Sequence, residues 1–214
     1  MPLLLRTIVT LFLAAALALS TPASADIIDL ANNLGETNFA TGQITNSVWS
    51  SQAFTTDTTH TVITGVAAKF SRDSGSTGNM GVYIYSSASN KPDSLVATVG
   101  TYDIATQLNT SLTDTPFSLN LPIVLNPSTQ YFLVIGGISI TGRANWGYTL
   151  SNTGTGFPSN AVTSLDGGTT WGNPVTSTPK QMQIEASVPE PASLGLMGIG
   201  MVGWFLTRRR TARG

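Results

Sequence analysis

Apolar and polar residues alternate with a period of two through most of the interior of this chain, and each alternating run is closed by Gly, Asn, Asp, Ser or Pro. Successive side chains of a strand point to opposite faces, so this pattern predicts half-buried strands joined by turns. Val62, Thr64, Val66, Ala68 and Phe70 are predicted to share one face of a strand. Met80, Val82 and Ile84 share a face of the next, with Tyr83 and Tyr85 opposite, and residues 73–79 between them read as a hairpin loop. Asn90-Lys91-Pro92-Asp93 makes residues 86–94 a turn-rich connection, after which residues 95–99 resume apolar spacing. Phe117, Leu119 and Leu121 alternate up to Pro122, residues 126–129 form a turn, and residues 131–135 are a nearly unbroken apolar run, as expected of a central strand buried on both faces. With residues 146–150, 161–165 and 182–186 the count reaches about eight strands and no helix, a spacing that fits an all-β, two-sheet antiparallel sandwich of jelly-roll type. This body spans residues 26–187.

Both ends depart from that pattern. Residues 1–25 carry one cation, Arg6, an apolar run over 8–19, and then Ala23-Ser24-Ala25. A short apolar run followed by a small-x-small site is the layout of a secretory signal peptide, so cleavage by signal peptidase is expected after Ala25, leaving Asp26 first. The far end, 188–214, opens with Val188-Pro189-Glu190-Pro191-Ala192-Ser193, continues through an apolar run at 194–206, and closes on Arg208, Arg209, Arg210 and Arg213. A helix over 194–206 would rise only about 20 Å against a hydrocarbon core of about 30 Å, which suits a transient span better than a permanent one. The arginines belong on the cytoplasmic side, which puts the body outside the cytoplasm, anchored transiently to the inner membrane by its tail and then at the cell surface or in the extracellular matrix.

Composition narrows the chemistry. Lys69, Arg72, Lys91, Arg143 and Lys180 are the only cations between residues 26 and 187, against ten acids, so the body is mildly acidic and lacks the basic footprint that nucleic acid requires. The chain has no cysteine, which excludes disulfides, thiolate metal sites and a cysteine nucleophile. One histidine, His60, cannot build a multi-histidine metal centre.

Pro189-Glu190-Pro191, a short apolar run and a terminal arginine cluster together resemble the PEP-CTERM sorting signal. That resemblance implies processing by an exosortase-type membrane peptidase at or near the Pro-Glu-Pro motif. The body resembles the choice-of-anchor R domains through Gln52-Ala53-Phe54-Thr55-Thr56, residues 80–86 with 94–97, residues 125–133, Asn145-Trp146-Gly147-Tyr148, and residues 164–171. That family supports placement and fold and implies no activity.

Four groups of residues could carry chemistry. Ser164, Asp166, Gly168 and Trp171 fit the Asp-box pattern, Ser-x-Asp-x-Gly-x-Thr-Trp, which is similar to boxes in sialidases; with one box and only Arg72 and Arg143 in the body, a structural turn is expected here, closed by the Asp side chain. His60 beside Asp57 could be a general base but has no nucleophile placed by sequence. Asp57, Asp73, Asp93, Asp103, Asp114 and Asp166 fall singly in predicted loops and read as turn formers, leaving no cofactor except one calcium ion gathered from distant loops as an option. Trp49 and Trp146 could stack on sugar rings, against the plainer reading of core packing, as could Trp171, Tyr83, Tyr85, Tyr131 and Tyr148. The expected function is a non-enzymatic, exported surface or matrix protein sorted through its tail. A carbohydrate-binding module contacting extracellular polysaccharide is the alternative, and a glycoside hydrolase the weakest of the three.

Overall fold

The computed structural model describes residues 26–156 and 160–189. The signal segment with Ala23 and Ala25, and the tail with Glu190, Pro191, the apolar run 194–206 and Arg208, Arg209, Arg210 and Arg213, lie outside the described residues. Two antiparallel sheets pack as a β-sandwich, as the alternation predicts.

The first sheet is organised by its longest member, β4 (Val62–Arg72). Val62, Val66 and Phe70 each pair with two strands, so β12 (Met182–Ser187) and β10 (Ala144–Tyr148) share one flank of β4, and β7 (Thr113–Phe117) and β8 (Ile123–Val124) share the other. Outside them, β1 (Ile27–Asn32) pairs with β12 and β2 (Ala40–Ile44) with β10. The second sheet runs in the order β11 (Ala161–Ser164), β3 (Trp49–Thr55), β9 (Gln130–Gly137), β5 (Asn79–Ala88), β6 (Lys91–Asp103). The apolar run at 131–135 forms the middle of β9, where every residue after Gln130 is buried.

The core between the sheets takes Val66, Ala68 and Phe70 from β4, Met80, Val82 and Ile84 from β5, and Leu133 and Ile135 from β9. Phe70 stacks on Trp146 with ring centroids 5.5 Å apart. Several polar side chains enter the interior with partners, since an unpaired buried polar group is costly. Ser51 Oγ donates to the Val162 carbonyl at 3.0 Å, and Gln52 Oε1 accepts the Lys180 amide at 2.8 Å. These bonds let Ser50, Ser51 and Gln52 form a buried strand that its polarity disguises.

Several expectations need correction. The described residues hold twelve strands rather than about eight, because β1, β2, β3 and β8 are short or polar and show no alternation. Residues 73–79 do not close a hairpin: β4 already has partners on both flanks, so the loop crosses from the first sheet to β5 in the second. The predicted face of β4 holds at Val66, Ala68 and Phe70 but fails at Val62 and Thr64. A register shift between Glu185 and Ala186 turns Ile63 inward and leaves Thr64 exposed, as a bulge does. The turn expected over 86–94 shrinks to Ser89 and Asn90, both at positive φ, while Lys91 already pairs with Ala88; this is the two-residue hairpin connection whose twist matches its strands. One short helical turn, α1 (Ile104–Gln107), interrupts the strands, with Asp103 Oδ1 accepting the Ala105 amide as its cap.

The pairing that matters most for the ends is that of β1 with β12. Ile27 lies opposite Ser187, and Ser187 in turn lies opposite Val62, which pairs with Val124. Residues from the beginning and end of the body therefore form one row across one end of the first sheet.

Candidate functional site

The outer face of the second sheet carries an aromatic shelf built over glycine. Gly81 in β5 and Gly136 in β9 are cross-strand partners. The Trp49 indole occupies the space a Cβ on Gly136 would fill, and the Tyr83 phenol occupies the space of a Cβ on Gly81. Side chains normally stand off a sheet, but a glycine pair leaves the backbone bare, and the two rings lie down over it, 5.6 Å apart and within 10° of parallel. Tyr85 meets Tyr83 edge-on at 6.3 Å. The rings of Trp49, Tyr83, Tyr85 and Trp171 all pack on a small buried cluster of Ala53, Phe132, Val134 and Val162, and all four residues keep part of their surface exposed. Lys91 Nζ donates to the Trp171 carbonyl at 3.2 Å, fixing the edge of the shelf.

Of the two tryptophans singled out for sugar stacking, the structure keeps one. Trp146 has no exposed surface and donates its indole N–H to the Gln181 carbonyl at 2.9 Å, so it is a core residue and not a glycan contact. Its place is fixed by alternation within β10, which turns it to the same side as Ala144. Tyr131 is likewise core, and Tyr148 sits under the Lys180 ammonium at 4.9 Å.

The Asp-box residues form a self-contained turn after β11. Asp166 Oδ1 accepts the Ser164 hydroxyl at 2.7 Å and the Thr170 amide at 2.8 Å, and Asp166 Oδ2 accepts the Thr170 hydroxyl at 2.6 Å. The Gly168 amide donates to Ser164 Oγ at 2.8 Å. Gly167 and Gly168 stand at φ of 70° and 85°, a conformation that disfavours any side chain. Hydrogen bonds from the Thr170 side chain, the Thr170 amide and Ser164 hold the Asp166 carboxyl down at about 2. Gly168 touches the Trp49 indole at 2.7 Å from its would-be Cβ, so the turn also walls one side of the shelf.

His60 lies at the opposite end of the sandwich, in the loop from β3 to β4. Its Nδ1 is 2.6 Å from Asp57 Oδ2 and 3.1 Å from Thr59 Oγ1, and its Nε2 is 3.5 Å from Asp26 Oδ2. A catalytic dyad or triad places nucleophile and carboxylate on different ring nitrogens. Here the hydroxyl and Asp57 share Nδ1 while Nε2 faces a second carboxylate, which is the geometry of a clasp holding the start of β1. The remaining aspartates work locally: Asp73 binds Arg143 and Asn145, Asp93 accepts from Ser94, Asp103 caps α1, and Asp114 pairs with Lys69 at 3.5 Å. No group of three or more side chains suited to hold a metal ion forms among the described residues.

Sequence reasoning found Trp49, Asp166 and His60 but missed what makes each of them distinctive. The glycine floor was signalled only by Gly81 and Gly136 inside otherwise apolar strands. Lys180 was missed as well: its residue is buried, and burial depresses its ammonium to about 8.

The clasp makes a pH prediction. The hydrogen bond to Asp57 raises the His60 value above its ordinary 6.5. Burial pushes Asp57 up, but the amides of His60 and Thr59 and the His60 ring outweigh it and bring Asp57 to about 2. The pair therefore stabilises the fold fully between the ordinary values of 3.8 and 6.5, and this stabilisation is lost as pH rises through the raised His60 value or falls through about 2. The Tm difference between wild type and His60→Gln should be largest near about pH 5 and shrink above neutrality. Lys180 acts in the opposite sense at alkaline pH and cancels in that difference. A difference independent of pH would show that the clasp is not ionic.

Comparison with known proteins places one segment. Residues 187–210 match the PEP-CTERM protein-sorting motif, so the match begins at the last residue of β12. A search of curated proteins returned no match. Among solved structures, the chain aligns to infectious bursal disease virus of the Gt strain at 14% identity and a TM-score of 0.28, over 78% of this chain and 37% of that one. It also aligns to the Gx strain at 12% and 0.25, over 89% and 50%, and to the VP2 subviral particle of the same virus at 13% and 0.21, over 88% and 48%. The chain thus spans half or less of those viral chains, and overlaps this loose carry no argument. The sorting motif marks an exported protein, anchored transiently in the membrane and sorted through an exosortase-type peptidase.

Proposed function

We propose that this chain is a non-enzymatic protein of the cell surface or extracellular matrix, released from its membrane tail by an exosortase-type peptidase. The observation that carries the reading is the position of the sorting motif: it begins at Ser187, where β12 ends, so the folded body passes directly into its address. Signal peptidase acting after Ala25 would leave Asp26 as the first residue, already held by His60. The side chains a hydrolase would recruit are engaged within their own loops, His60 by Asp57 and Asp166 by Ser164 and Thr170. The body reads as a choice-of-anchor R domain on the stretches named above, a unit whose part is to be displayed.

The paired rings of Trp49 and Tyr83 favour a second reading, in which the displayed body also binds extracellular polysaccharide. Flat aromatic faces bury the apolar side of a pyranose, and hydroxyls and amides dominate the rest of a surface poor in charge. Neither reading requires a cofactor.

Two experiments test these readings. In a host with the matching peptidase, mass spectrometry of surface material should find C-terminal peptides ending at or near residues 188–191, and replacing Pro189-Glu190-Pro191 with alanines should trap the full-length form in the inner membrane. Surface protein that still carries Arg213 would overturn the sorting reading. For the second, Trp49→Ala should weaken binding of soluble exopolysaccharide by about tenfold in titration, the scale of losing one aromatic contact, while the circular dichroism spectrum stays unchanged. Equal binding by wild type and Trp49→Ala would remove the shelf from the account.

A further inference from the structure

The end of the first sheet that joins the sorting tail is also an apolar surface. Ile27, Ser187, Val62 and Val124 form the paired row across β1, β12, β4 and β8, and paired residues of neighbouring strands face the same side. The next residues inward, Ile28, Ala186, Ile63 and Ile123, turn to the core. The row itself is open at its two ends, where Ile27 is 55% exposed and Val124 68%, while Val62 is half-buried and Ser187 buried between them. Leu121, just before β8, is 77% exposed and Val188, just after β12, is 39% exposed. These four come from three separated parts of the chain and reach one end of the first sheet through the pairing of β1 with β12 and of β12 and β8 with β4.

The chain beyond the row says what lies next to it. From Ser187 to Leu194, where the apolar run of the sorting motif begins, there are seven residues. Even fully extended they reach only about 25 Å, so while the tail is anchored this end of the sandwich stays close to the bilayer. The titratable groups at this end include Asp26, Asp57 and His60 and, on the β5–β6 hairpin beside Gln130, Lys91 and Asp93, an acidic balance that favours a neutral lipid surface over an anionic one.

We propose that Ile27, Val124, Leu121 and Val188 form a membrane-contact surface, which seats the anchored precursor end-on on a neutral bilayer and directs the Trp49 and Asp-box end away from it. The seat rests on the sorting reading for its anchor but is independent of cleavage. It shallowly buries apolar side chains at the lipid interface and presents the Pro189 region to a membrane peptidase at a fixed height.

The absence of cysteine permits a direct test with the full chain in phosphatidylcholine vesicles. Single variants Asn126→Cys, beside the row, and Ile138→Cys, at the far end after β9, are labelled with a fluorophore, and quenching by a headgroup-level spin-labelled lipid is measured. Co-sedimentation that survives carbonate shows that the tail is anchored; failure to sediment would overturn the anchor and the proposal with it. With the tail anchored, the label at 126 should be quenched at least about threefold more than the label at 138, as interfacial contact requires. Adding Ile27→Asp and Val124→Asp, both at exposed sites, should bring quenching at 126 down to the level at 138. Equal quenching at the two sites, or quenching at 126 that survives both aspartates, would overturn the contact surface and leave a tether alone.

Discussion

The antiparallel pairing of β1 with β12 is the constraint on which the rest of this molecule depends. It covers the edge that β12 would otherwise expose and fixes the first and last residues of the body side by side. A domain whose ends emerge together can be made from the membrane and returned to it without threading its body through itself. Because β12 is also paired along β4, the strand that carries the sorting motif is anchored on both flanks up to Ser187. The fold therefore supplies no slack between body and address.

The same arrangement gives the sandwich two unlike ends. One holds Asp26, the His60 clasp, the exposed apolar row and the exit to the tail. The other holds the Asp-box turn and the Trp49 side of the aromatic shelf, since Ser164 pairs with Trp49 at the start of β3, while Thr55 at the end of β3 pairs with Gln130 and leads to the clasp loop. On the proposed membrane seat, display of the shelf away from the bilayer then follows from strand direction. The proposed role at the surface calls for this separation, with attachment at one end and contact with the surroundings at the other.

The sequence made part of this legible. The unbroken run of β9 and the alternation of Met80, Val82 and Ile84 are strong signals because hydrophobic period reports burial directly. Ser50, Ser51 and Gln52 gave no such signal, since their burial depends on hydrogen bonds to Val162 and Lys180 that lie more than a hundred positions away. The inversion at Val62 and Ile63 arises from a bulge at Thr64, the extra residue of β4 opposite Glu185 and Ala186, and because its place depends on a partner strand at the other end of the chain it escapes any local pattern. The Asp box could be read because its bonds all close within a few residues. The shelf could not, because it needs Gly81 and Gly136 to come opposite each other on different strands.

Amide hydrogen exchange on the mature protein measures the closure of β1 on β12 most directly. If the two strands close the body as described, the paired amides of residues 27–32 and 182–187 exchange slowly and together, and protection ends abruptly at Val188. Fast exchange over 182–187 with β4 still protected would contradict the account, because the sorting motif would then hang from a frayed strand and neither end of the chain would be held at a common pole.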